Sequence, residues 1–262
     1  MRTALIISTY NWPDALKVVL ESIGAQSVLP DQVFIADDGS GEVTKELIRE
    51  FTEKSSFRIT HVWQEDSGFR KSAILNKAVA AARADYIIQI DGDCIMHPDF
   101  IKDHLEQKLG NTFLYGSRVN IKPSFVEKVL KMETPNFSLF SKEIKNKSRN
   151  LRIPQLQNLY TPKSTFSKKT RGCNLSYWRN DFIAVNGYDE AMEGWGREDS
   201  EFVLRLLNNG VEGKRLRYGG IVYHIYHPEK SRDFLLRNSE IQRRTIENKK
   251  VWCEDGIDKY LE

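Results

Sequence analysis

Up to residue 93 the chain alternates between short unbroken apolar runs and longer stretches whose apolar positions recur every three or four residues. TALIIST at 3–9 is a continuous apolar run that closes on small polar side chains, the pattern of a parallel strand buried on both faces. Pro13 then opens a helix in which Leu16, Val19, Leu20 and Ile23 share one face, a missing N–H being harmless at a first helical position. QVFIA at 32–36 predicts a second strand, followed by a helix over 43–53 and a third strand over 57–63. GFRKSAILNKAVAAARA, from Gly68, predicts a helix with a basic first turn, and ADYIIQI then runs straight into Asp91-Gly92-Asp93.

Strand and helix in strict alternation predict an α/β fold with a Rossmann-like, mostly parallel central sheet flanked by helices. Right-handed crossovers gather the loops that follow the strands along one edge, and ligands bind at that carboxyl edge. The polar strand ends Ser8-Thr9-Tyr10, Asp37-Asp38 and Asp91-Gly92-Asp93 are therefore expected in one crevice. Asp91 and Asp93 lie two apart, so they lean to the same side, and hard divalent cations take such oxygen ligands. Asp-Gly alone is equally a turn dipeptide; three such ends on one edge point to a nucleotide site.

The second half is less regular. A helix is expected over 100–109, a strand over 112–119 and a helix over 124–131. The rest of 121–169 reads as a long loop rich in Lys, Asn, Ser and aromatics, either a solvated basic face or a flap that meets an acceptor. GCNLSYW at 172–178 restores order, before a short helix over 181–185 and the turn Asn186-Gly187-Tyr188-Asp189. GWGREDSEFVLRLLNNG, 194–210, predicts a helix that starts near Arg197 and is capped by Gly210. Its first-turn acids Glu198, Asp199 and Glu201 suit the helix dipole without any function, yet the Gly-Trp-Gly before them holds Trp195 beside them. IVYHIYHPEK carries His224 and His227 at a strand end, and 233–250 predicts an amphipathic helix.

Composition narrows the function classes. With 39 basic and 36 acidic residues the net charge is only +3, which argues against nucleic acid as a partner. Cys94, Cys173 and Cys253 are far apart and form no C-x-x-C pair, which argues against a zinc site or a disulfide framework and suits a reducing compartment. The opening apolar run is broken by Tyr10-Asn11-Trp12-Pro13, so it reads as neither signal peptide nor membrane span. The expectation is a cytoplasmic protein, with basic residues between Lys142 and Lys169 available for peripheral contact at the inner face of a membrane.

The motifs taken together are ISTYN at 7–11, ADDGS at 36–40, Asp91-Gly92-Asp93, RGCNLSYW at 171–178, NGYDE at 186–190 and GWGREDSEF at 194–202. In this order the chain resembles family 2 glycosyltransferases of the GT-A fold, in particular bacterial members whose second half is similar to the β-1,4-galactosyltransferases. The resemblance implies a nucleotide-sugar-binding half at 1–120 and an acceptor-binding and catalytic half at 121–262 of one domain. Ser8, Thr9 and Tyr10 would line the base, Asp38 would accept from a pyrimidine N3–H, and Asp37 would set the turn. Arg70 and Lys71 fall where the family faces base or diphosphate, with no choice between them. Asp93 would bind Mn²⁺ or Mg²⁺, and Asp91 the ribose or the metal's waters. His224 would complete the shell, with His227 the alternative; three apart on a strand, the two should face opposite ways. Trp195 would meet donor sugar and acceptor, Glu198 the acceptor hydroxyls, and Asp199 would be the catalytic base.

The implied activity is inverting transfer of a sugar from a UDP-sugar to a hydroxyl of a glycan or lipid-linked glycan in surface polysaccharide biosynthesis. A sugar nucleotidyltransferase would need a glycine-rich phosphate loop after the first strand, where Asn11-Trp12-Pro13-Asp14 stands. A non-catalytic nucleotide-sugar or glycan-binding module of the same fold would have no use for Asp93, Asp199 and both histidines. Ser200 follows Glu198-Asp199 where the galactosyltransferases carry longer acidic runs, so their acceptor preference does not carry over.

Overall fold

The computed structural model describes residues 1–132, 135–228 and 231–261. The first half follows the apolar pattern closely: β1 (Thr3–Thr9), α1 (Pro13–Gly24), β2 (Gln32–Asp37), α2 (Glu42–Lys54), β3 (Ile59–Trp63), α3 (Lys71–Ala81) and β4 (Tyr86–Asp91). Next come β5 (Cys94–Met96), α4 (Phe100–Gln107), β6 (Thr112–Tyr115), β7 (Ser117–Ile121), α5 (Val126–Leu130), β8 (Ile144–Lys145) and α6 (Pro154–Gln157). The chain closes with β9 (Asn174–Trp178), α7 (Arg179–Ala184), α8 (Glu198–Asn208), β10 (Glu212–Arg215), β11 (Ile221–His224) and α9 (Leu235–Glu247).

A seven-stranded sheet runs β10-β6-β9-β4-β1-β2-β3, and a smaller sheet runs β5-β11-β7-β8. β1 pairs in parallel with β2 on one side and β4 on the other, so the chain reverses its direction of winding between β1 and β4. That reversal opens the crevice in which α/β sheets bind ligands. β1 is buried along its whole length, and its side chains alternate between two cores. Leu5 and Ile7 pack with α1 on one face, Ala4 and Ile6 with α3 on the other. Fully burying each such large aliphatic side chain contributes about 1.5–3 kcal/mol, which is why the apolar runs specify the strands so clearly.

The second half corrects the sequence reading in three places. The strand expected over 112–119 is two, broken at Gly116 and assigned to different sheets. A Cβ at Gly116 would lie 2.3 Å from the Asn174 side chain, and the Gly116 N–H donates to the Asn174 carbonyl at 3.0 Å. Residues 174–178 form β9, antiparallel to both β4 and β6 and lodged between them. The long loop contains β8, α6 and short 3₁₀ turns, pieces too brief to show a period. The parts of that expectation at 133–134, and the last two residues of IVYHIYHPEK, lie outside the described residues. Among the described residues no helix is long and apolar enough to cross a membrane.

Candidate active site

The carboxyl ends of β1, β2 and β4 meet as expected, in a cleft of about 1490 Å³ whose walls include Ser8, Thr9, Tyr10, Asp38, Asp91 and Asp93. That is room for a nucleotide-sugar with part of an acceptor beside it. A second hollow of about 780 Å³, bordered by Arg83, Asp85, Trp178 and Asp181, holds none of the sequence-predicted residues.

Backbone hydrogen bonds fix the strand ends. Gly92 N–H donates to the Ser8 carbonyl at 2.7 Å and Asp38 N–H to the Thr9 carbonyl at 3.0 Å. Ser8 Oγ donates to Asp91 Oδ1 at 2.8 Å, and Lys71 Nζ reaches the same oxygen at 2.5 Å. Burial would lower the Lys71 ammonium, but Asp91 and Glu198 beside it hold it well above its ordinary value, so it is a fixed cation in the cleft. This separates the two basic neighbours. Arg70 gives its backbone N–H to Asp38 Oδ2 at 2.8 Å and turns its guanidinium to the Glu65 carbonyl. Gln64 Nε2 donates to the other Asp38 oxygen at 2.6 Å, and burial pushes the Asp38 carboxyl up. Asp37 is fully buried and accepts from the Ser40 N–H at 2.8 Å across the turn, a structural task. Tyr10 stands half-exposed with its hydroxyl donated to Asp66.

Asp93, on the turn between β4 and β5, faces both histidines. His224 Nε2 lies 3.5 Å and His227 Nε2 3.2 Å from Asp93 Oδ2, and the three donor atoms all lie within 4.8 Å of one another. The two histidines, expected to face opposite ways, instead turn to the same carboxylate. β11 ends at His224, so His227 lies beyond the strand and escapes its alternation. Its Nδ1 can only donate to the Pro228 carbonyl, 2.7 Å away, which leaves Nε2 of the neutral ring as a lone pair aimed at a carboxylate. Two acceptors so placed need a proton or a metal cation between them. Burial lowers His224 and favours its neutral, ligating form. Burial would raise Asp93, but His227 and His224 outweigh it and keep the carboxyl below its usual value. One ionised carboxylate and two imidazoles fit a divalent first-row ion and leave coordination positions for diphosphate oxygens; nitrogen donors suit Mn²⁺ better than Mg²⁺.

Across the cleft, the Gly-Trp-Gly turn brings α8 to the site. Gly194 and Gly196 have φ of 69° and 107°, and Arg197, capping α8, sits at φ 80°, a costly conformation for a side-chain-bearing residue. Fully buried Asn238 of α9 braces the turn by donating to the Glu193 and Gly196 carbonyls, each at 2.9 Å. Trp195 lines the cleft with the Arg232 guanidinium 5.8 Å from its ring centre. At the far end, Gly210 N–H bonds the Leu207 carbonyl and Val211 N–H the Leu206 carbonyl, the C-terminal cap expected of the helix.

The two acids that start α8 are held differently. Asp199 accepts from Gly172 N–H at 2.9 Å and Ser200 N–H at 2.6 Å, so its carboxylate is oriented by backbone. Gly172 is in turn fixed by Gln89, which donates to its carbonyl at 3.0 Å from inside β4. Gln89 and Arg118 escaped the sequence reading, although a glutamine within ADYIIQI was a polar side chain in a fully buried strand. Glu198 keeps a buried Oε2 with no hydrogen-bond partner, and burial first, Asp199 second, push its carboxyl up to about 7 against the pull of Lys71. With the folded value above the ordinary 4.5, the folded protein holds this proton longer than the unfolded chain. Its contribution to stability is full below about 4.5 and is lost as pH rises to about 7. Glu198→Gln, always neutral, should therefore gain melting temperature relative to the parent between those pH values and level off above them, as scanning calorimetry would record.

A family model described as glycosyl transferase family 2 matches residues 4–169, and one described as the N-terminal domain of galactosyltransferase matches 158–228. The chain belongs to glycosyltransferase family 2. It is 30% identical over 250 residues to chondroitin synthase of Escherichia coli, covering 88% of this chain and 35% of that one. It is 28% identical over 248 residues to hyaluronan synthase of Pasteurella multocida, covering 88% and 25%. The chain thus spans about a third or less of these two family relatives. Among solved structures it is similar to the mannosyltransferase PcManGT from Pyrobaculum calidifontis in complex with GDP-Man and Mn²⁺, at TM-score 0.59, 16% identity, 85% of this chain and 56% of that one. It is also similar to S. aureus TarS 1–349 in complex with UDP, at TM-score 0.62, 15% identity, 95% and 66%. These likenesses establish the GT-A fold for this family 2 member, and the family model reaches from β1 past the Asp91-Gly92-Asp93 turn.

Proposed function

We propose that the protein is a metal-dependent inverting glycosyltransferase that moves a hexosyl or N-acetylhexosaminyl unit from a UDP-sugar to a glycan hydroxyl in surface polysaccharide synthesis. The observation that carries this reading is the convergence of Asp93, His224 and His227 on one point, in the same cleft as the oriented carboxylate of Asp199. Direct displacement needs a base at the attacking hydroxyl and neutralisation of charge on the opposite face. Asp93 and the histidines would hold a divalent cation, which when bound supplies Lewis-acid neutralisation of the departing diphosphate. Lys71, already cationic, adds fixed positive charge on the donor side through Asp91. Asp199 takes the hydroxyl proton, Glu198 and Trp195 position the acceptor, and Asp38 reads the base.

A second assignment of the base has one observation in its favour: Glu198, raised to about 7 with a partnerless Oε2, has the proton affinity a general base uses at neutral pH. The test of the whole reading is release of UDP from UDP-sugars with Mn²⁺ and after chelation. No metal-dependent release from any UDP-hexose or UDP-N-acetylhexosamine, with acceptor present, would sink it. Asp38→Ala should weaken UDP binding roughly tenfold or more with or without metal, the size of a hydrogen bond to a charged group, measured by calorimetry.

A further inference from the structure

Five arginines gather beside the cleft: Arg118 in β7, which also faces Asp93 and Asp91, with Arg149 after β8, Arg171 before β9, Arg215 at the end of β10 and Arg217 just beyond. Short contacts tie Arg118, Arg149 and Arg217 together, and Arg171 and Arg215 lie close enough for their charges to act on Arg149. Arg149 donates to the Arg118 carbonyl at 3.1 Å, Arg217 donates to the Ser148 carbonyl at 2.8 Å, and Arg118 and Arg171 both line the cleft. Among the described residues, none of the five has a carboxylate within ion-pair reach, although other arginines such as Arg152, Arg205 and Arg243 do. Burial, followed by the charges of Arg118, Arg215, Arg171 and Arg217, presses Arg149 below its ordinary value, the signature of like charges held close. Asp93 and Asp91 offset Arg118 in part, but among the described residues no ion pair offsets Arg149, Arg171, Arg215 or Arg217, and in a chain with 36 acidic residues and a net charge of only +3 those four suit an anion from outside.

Two observations say which kind. Tyrosine rings are interleaved with the cations: the Arg215 guanidinium lies 5.9 Å from the Tyr160 ring centre and that of Arg217 4.6 Å from Tyr218, the two rings being 6.3 Å apart. Tyr218 adopts a left-handed φ of 65°, strain of the kind kept at binding sites. Aromatic faces beside guanidinium groups suit sugar rings that carry acids. The patch also adjoins the reacting end of the site, since Arg171 immediately precedes the Gly172 N–H that orients Asp199.

We propose that the acceptor is an acidic glycan, its carboxylate or phosphate groups held by Arg149, Arg171, Arg215 and Arg217 while Tyr160 and Tyr218 take the faces of its sugar rings. This rests on reading the cleft as a donor site, and it explains the basic stretch of the long loop as an acceptor surface. The full chain is titrated calorimetrically, with UDP and Mn²⁺ present, against short oligogalacturonides, their carboxyl-reduced counterparts, oligo(glycerol phosphate), oligouridylate of equal charge, and phosphatidylglycerol vesicles. The acidic glycans should bind at least roughly tenfold tighter than the carboxyl-reduced form. Whichever of oligogalacturonide and oligo(glycerol phosphate) binds tighter names the anion. Arg215→Glu with Arg217→Glu should erase that preference while keeping the thermal shift produced by UDP and Mn²⁺. Arg149→Gln with Arg217→Gln, a milder pair, should weaken it in the same direction if charge reversal disturbs folding. Equal binding of the carboxyl-reduced oligomer, or undiminished acidic binding by both variants, overturns the proposal. Tighter binding of oligouridylate or vesicles, lost in the same variants, overturns it in favour of a nucleic-acid or membrane surface. A parent protein with no thermal shift from UDP and Mn²⁺ fails at the donor site instead, a result distinguishable from loss of the acidic preference alone.

Discussion

Asp93→Ala should lower turnover by ~10³-fold or more and remove the Mn²⁺ enhancement of UDP affinity while the chain stays folded. The size follows from the role: Lewis-acid neutralisation of a leaving diphosphate contributes several kcal/mol, and about 1.4 kcal/mol is a factor of ten. Asp93 supplies the only carboxylate among the three convergent donors, and both histidines lean on its Oδ2. Removing it leaves two imidazoles with no anion to hold the ion's charge. Calorimetry of UDP with and without Mn²⁺, paired with steady-state turnover, checks the result. Unchanged metal enhancement would displace Asp93 from the assignment. Because both rings reach Asp93, His224→Ala and His227→Ala should each weaken the enhancement, rather than one variant carrying the whole effect.

Asp199→Asn should lower kcat by ~10²-fold or more at unaltered donor affinity, the usual contribution of a general base. An asparagine keeps one acceptor oxygen, so one of the Gly172 and Ser200 N–H groups loses its partner, and a melting curve must accompany the kinetics. Glu198→Gln should act mainly through acceptor KM. The pH profile separates the two acids independently of size. If Glu198 were the base, kcat would fall on an acidic limb near pH 7, matching its raised carboxyl, and Glu198→Gln would abolish both limb and turnover. Retained turnover in Glu198→Gln, together with the larger kcat loss in Asp199→Asn, fixes the base at Asp199.

What could be read from the sequence depended on whether a local period survives. β1, β2 and β4 are buried on both faces, so they appear as unbroken apolar runs with their polar ends marking the crevice. Helix α8 announced both its start and its cap. β9 gave no such cue, because it is short and its alternating Asn174 and Ser176 are buried polar side chains, so NLSYW does not form an unbroken apolar run. Arg70 and Lys71 could not be told apart, since the choice rests on which side chain turns inward at the first turn of α3. The histidine pair misled because strand alternation was extended past the last residue of β11.

The position of β9 also bears on how the chain comes off the ribosome. β4 and β6 border no other strand of the large sheet on their facing sides until residues 174–178 arrive between them. A nascent chain that has emerged only through residue 120 therefore carries β4 with an apolar open edge, ready to pair with another copy. A cut at 120 would separate β9 from both of the strand edges that it fills. A fragment cut there should aggregate, and a chaperone would be expected to stay on the growing chain until about the RGCNLSYW segment has cleared the exit tunnel.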